Sequence, residues 1–155
     1  MNAQVWIAVI LGAAATIEDL LLRRISNWIP VTAFCAGLVW HVAGRGWRGA
    51  LDAVAGAACG FGIFLLFYLL GGMGGGDIKL MAGFGALLGT GRLLEAAFWT
   101  AVCGALLAAG WIAVRTVAQR RKAGTLPRAP ASAADSMPYA PAIAVGVWLS
   151  LVPKG

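Results

Sequence analysis

Glu18, Asp19 and Asp77 are carboxylates where carboxylates are costly. Glu18 and Asp19 close an apolar run over residues 4–22, and Asp77 opens a shorter apolar run at 78–91. An Asp at the centre of a membrane-spanning helix costs on the order of 2.5–3.5 kcal/mol, so an acid inside such a run marks a functional position. Two carboxylates held close together do not both ionise and share one proton. The ionised member can take a proton from water. The protonated member can polarise a carbonyl and then donate to a leaving amine. Peptide hydrolysis needs that pair and no metal. Taken singly, Asp19 also reads as an interfacial acid paired with Arg23 or Arg24, and Asp77 as a helix N-cap. Asp52 and Glu95 fall near span ends and read as solvated or paired with Arg48 and Arg92. Asp135 lies in a polar stretch.

The run Gly71-Gly72-Met73-Gly74-Gly75-Gly76 precedes Asp77. Glycine reaches backbone conformations closed to other residues and lets another chain approach closely. Gly74, Gly75 and Gly76 are therefore expected beside the acids as a flexible, non-helical segment that receives an extended substrate. Gly56-x-x-x-Gly60 and Gly85-x-x-x-Gly89 are read instead as helix-packing pairs.

The elements that position these residues follow from composition. Of the 155 residues, 61% are hydrophobic and 12% charged, with a mean hydropathy of +0.84. Soluble domains are roughly half apolar and a quarter charged, so an all-α polytopic membrane protein is expected. Spans of about 20 apolar residues are predicted at 4–22, 28–44, 50–70, 93–114 and 139–153. The 78–91 stretch brings the number of transmembrane helices to about six. Fourteen helical residues cover about 21 Å, less than the ~30 Å hydrocarbon core, so Asp77 is expected below the membrane surface. Residues 116–138 read as a basic, then Pro/Ala/Ser-rich cytoplasmic loop within a single domain, 1–155. No Lys or Arg precedes Arg23, so residues 5–15 lack the charged flank of a signal peptide.

Arg23, Arg24, Lys79, Arg115, Arg120, Arg121, Lys122 and Arg128 fall on one side of these spans. Arg45, Arg48, Arg92 and Lys154 fall on the other. The eight-to-four split makes the first side cytoplasmic. The +6 net charge thus reads as a topology signal rather than a nucleic-acid footprint. Cys35, Cys59 and Cys103 form no Cys-x-x-Cys pair and are expected buried and reduced. His41 is isolated. No metal site is expected.

The segment Gly71 to Ala82, with Gly74-x-Gly76-Asp77 followed by Lys79, Leu80 and Ala82, resembles the GxGD signature of type IV prepilin peptidases. Asp19 through Asn27 resembles the family's first aspartate segment, with Ser26 where proline is usual. Met137-Pro138-Tyr139-Ala140-Pro141 resembles the approach to its last span. The resemblance implies a membrane aspartic endopeptidase, without cofactor, that removes the short basic leader of a prepilin or pseudopilin. It implies Asp19 and Asp77 as the catalytic pair, with substrate binding by Gly74, Gly75, Gly76, Lys79 and Asn27. It places the enzyme in the inner membrane with its site facing the cytoplasm, in contact with lipid and with pilus assembly proteins. Longer members carry paired cysteines and methylate the new terminus. This chain is similar to the small Tad (Flp) pilus form. A proton-coupled transporter and a non-catalytic assembly subunit are the competing readings of the same acids.

Overall fold

The computed structural model describes residues 3–70, 73–121 and 139–152. Five α-helices and no strand occur among them: α1 Ala3–Leu22, α2 Trp28–Leu69, α3 Gly75–Leu88, α4 Thr90–Arg121 and α5 Ala140–Leu151. By length and apolarity α1, α2 and the Thr90–Val114 part of α4 can each cross a membrane, and α5 is a shorter apolar helix. The chain is an all-α membrane protein.

Two expected spans, 28–44 and 50–70, are joined in α2. Its 42 residues contain one non-helical position, Gly46, at φ 59° and ψ −141°. A straight helix of that length would run about 63 Å, twice the ~30 Å hydrocarbon core. The chain instead reverses at Gly46, where glycine adopts positive φ without steric cost. Contacts with α3 reveal the reversal. Along the first arm, Pro30, Gly37 and His41 meet Gly83, Ala86 and Gly89 in ascending order. Along the second, Gly56 and Gly60 meet Gly85 and Met81 in descending order.

The two arms of α2 enclose α3. Leu80, Met81, Phe84 and Leu87 are fully buried there. Small residues set the approach, as expected for Gly56, Gly60 and Gly85. A Cβ on Gly56 would sit 2.2 Å from the Gly85 carbonyl oxygen, and one on Gly37 2.5 Å from the Ala86 backbone. α5 packs against α1 and α4. The Trp148 indole donates to the Ala8 carbonyl oxygen at 3.1 Å, tying α5 to α1.

Several expectations change. α3 begins at Gly75, not at 78, and ends at Leu88, so Gly75 and Gly76 form its first turn rather than a loop. Asp77 is the third residue of that helix, and Gly74 holds the N-cap position. α4 continues to Arg121, so 116–121 are helical. The remainder of the expected loop, 122–138, lies outside the described residues, as do Gly71, Gly72 and Lys154. Cys35 and Cys59 are exposed and Cys103 is intermediate, not buried. A membrane protein can turn apolar side chains toward lipid, so their apolar surroundings do not require burial. Asp52 pairs with Arg45 rather than Arg48, and the Arg48 guanidinium lies 5.8 Å from the Trp47 ring centroid.

Gly37→Ala and Gly56→Ala should each force α2 away from α3, at about 1–3 kcal/mol, and lower the melting temperature of the detergent-solubilised protein. Gly44 has open space around its Cβ position. Gly44→Ala should match or exceed the wild-type melting temperature, because alanine is the better helix former.

Candidate active site

The sequence ends α1 and starts α3 with acids, and the packing of these helices gives both acids one cavity. It measures about 330 Å³ and is lined by Asp19, Asp77, Asn27 and Lys79, together with Gly74, Gly75 and Gly76. Arg23, Arg24 and Ile25, from the turn between α1 and α2, complete the wall. The structure therefore gathers every sequence-expected site residue around one opening. Asp19 is 8% exposed and Asp77 6%. The two carboxylates lie within electrostatic reach of each other.

Each acid is held by a backbone donor at the start of a helix. Asp77 Oδ2 accepts the Gly74 N–H at 3.1 Å, and the Asp77 N–H donates to the Gly74 carbonyl oxygen at 3.1 Å. An acid at this position answers one of the unpaired amides of the first turn and favours the helix N-terminus. That explains how α3 can start within a glycine run. Asp19 Oδ2 accepts the Ala140 N–H at 3.0 Å, across 121 residues. Asp19 thereby caps α5, whose first turn carries Pro141. The expected partners of Asp19 were Arg23 and Arg24. The Arg23 guanidinium also lies 6.0 Å from the Trp111 ring centroid.

α1 ends at Asp19's own turn. The Arg23 N–H donates to the Asp19 carbonyl oxygen at 3.0 Å, and Arg23 has φ 51°, a left-handed helix stop. On the far wall Lys79 Nζ donates to Asn27 Oδ1 at 3.1 Å. This contact joins the start of α2 to α3 at the mouth of the cavity.

Glu18 has a role that sequence reasoning missed. Its Oε2 accepts the Ser26 N–H at 2.9 Å and its Oε1 accepts the Trp28 indole N–H at 3.3 Å. Glu18 thus ties down the turn that carries Arg23, Arg24 and Asn27. The departure at Ser26 was the available signal, because a proline there has no N–H to donate. Among the described residues no group of three His, Cys, Asp or Glu is placed to hold a metal ion.

A sequence profile described as the type IV leader peptidase family matches residues 6–109. A Bacillus subtilis (strain 168) protein named prepilin leader peptidase/N-methyltransferase is 42% identical over 84 residues, covering 53% of this chain and 33% of the relative. The match thus spans about a third of that relative's length. No solved structure matches.

Glu18→Ala should lower the melting temperature by freeing the turn, and Ser26→Pro should lower it by deleting the same N–H···O bond. The double variant should melt no lower than Glu18→Ala alone, since both changes remove one shared interaction. Additive losses in thermal melts would show that the two residues act separately.

Proposed function

The chain belongs to the type IV leader peptidase family, and on that premise we propose that it is a membrane aspartic endopeptidase acting on prepilin-like precursors. The observation that carries the reading is the shared cavity of Asp19 and Asp77. One carboxylate, ionised, takes a proton from a water molecule as that water attacks the scissile carbonyl carbon. The other, protonated, donates to the carbonyl oxygen. Collapse of the tetrahedral intermediate breaks the C–N bond: the proton taken from water passes to the leaving amine, and a hydroxyl of the intermediate returns its proton to the second carboxylate as the new carbonyl forms. The step needs no covalent enzyme intermediate. The pair acts as one titrating unit.

The surrounding groups suit an extended peptide. Gly74 has extended backbone, at φ −84° and ψ 153°. The Gly75 and Gly76 N–H groups belong to the first turn of α3, where amides lack intrahelical acceptors. They are suited to hold substrate carbonyls. Asn27 and Lys79 sit at the opening, where they can hold the substrate beside the scissile bond.

The substrate is a type IV prepilin or pseudopilin of the Flp class, cut at its leader. The eight-to-four charge split supports an inner-membrane location with this cavity toward the cytoplasm, in contact with pilus assembly proteins. Hydrolysis of this kind calls on no cofactor.

Co-expression with a tagged Flp-type prepilin tests the reading by a size shift on gels. Wild type should cleave. Asp19→Asn and Asp77→Asn keep side-chain shape but cannot cycle a proton, and each should lose on the order of 10²–10⁴-fold in rate. Wild-type cleavage by Asp77→Asn would refute the mechanism.

A further inference from the structure

A second polar cavity, of about 390 Å³, opens at the other end of α3. The helix from Asp77 to Leu88 separates it from Asp77 by about 17 Å. It takes no part in the hydrolysis described above. Gln4, His41, Arg45, Asp52, Thr90 and Arg92 supply its polar lining. Arg45 and Arg92 are two of the four cations that run against the charge bias along the chain. The structure brings these two to one opening.

The acid in this cavity is already satisfied. Asp52 Oδ1 accepts the Thr90 N–H at 3.0 Å and the Thr90 hydroxyl at 2.5 Å, and Oδ2 accepts from Arg45 Nη2. The His41 Nε2 meets the Leu87 carbonyl oxygen at 3.2 Å, and its Nδ1 meets Arg45 Nη2 at 2.7 Å. Gln4 Nε2 donates to the same carbonyl at 2.6 Å. These bonds close the end of α3 and consume the charge of Asp52.

Arg92 is left over. It lines the cavity, is exposed and has no ion-pair partner among the described residues. The Gly91 and Arg92 amides lie in the first turn of α4, where N–H groups are unpaired and the helix end is positive. Asp52 is the one acid among the described residues that line the space. With its charge answered, the cavity favours an anion. Trp40, which lines the cavity, is exposed, as aromatic side chains are at a membrane–water boundary. An anion met at such a boundary is a lipid phosphate, and arginine is the side chain suited to grip it.

We propose that this cavity binds the phosphate of an anionic phospholipid headgroup through Arg92 and the first turn of α4. The site would fasten the end of α3 opposite Asp77 to the lipid surface.

The test uses the full chain in detergent, titrated with phosphatidylglycerol in mixed micelles, with bound lipid counted by native mass spectrometry. Wild type should retain phosphatidylglycerol. Arg92→Gln, which breaks no internal ion pair, should weaken retention about tenfold, as expected for loss of a charge-assisted bond. Arg48→Gln, outside the cavity, should bind as wild type does. Inorganic phosphate that displaces the lipid would support recognition of the phosphate itself. Equal retention by wild type and Arg92→Gln, or binding of inorganic phosphate with no lipid retained, would overturn the proposal.

Discussion

A buried carboxylate must find donors, because charge withdrawn from water without a partner is expensive. This constraint organises the protein. Asp77 finds the Gly74 N–H and Asp19 finds the Ala140 N–H. At the opposite end Asp52 finds Thr90 and Arg45. In each case the acid meets the backbone at or just before a helix start, where N–H groups are unpaired by geometry. The acids therefore place α3, α5 and α4 as well as being placed by them. The proposed chemistry grows from the same arrangement, since two of these helix-holding acids share one cavity.

The second organising element is α3. It is short, almost wholly buried and flanked by both arms of α2. A helix that cannot span the hydrocarbon core alone is tolerated where protein covers it. Small residues on both partners bring the backbones together, and the stiff seam holds the α3 start at a fixed position beside α1 and α5. Around this rigid frame the larger apolar side chains, such as Leu21, Leu66 and Leu106, face outward. They are suited to lipid rather than to a protein interior.

Much of this was legible in the sequence. Apolar runs marked the helices to within a few residues for α1 and α5. The acids stood out because lipid makes them costly, and the GxGD spacing named the glycines beside Asp77. What was not legible depended on tertiary contact. The reversal at Gly46 lies among polar residues that read as a loop, with no sign that the helix resumes at once. The start of α3 at Gly75 overrides glycine's poor helix propensity because the Asp77 carboxylate reaches back to Gly74. The bond from Ala140 to Asp19 spans 121 residues, beyond any local pattern. The cysteines were expected inside because they are apolar, but apolar residues have two destinations in a membrane protein.

The central claim is that Asp19 and Asp77 form one hydrolytic unit. Prepilin cleavage rates for Asp19→Asn, Asp77→Asn and the double variant test it directly, with each protein's membrane level matched. If the pair shares one catalytic function, the double variant falls no further than either single variant, as for groups that act together. Losses that multiply, with measurable cleavage left in each single variant, would contradict the account.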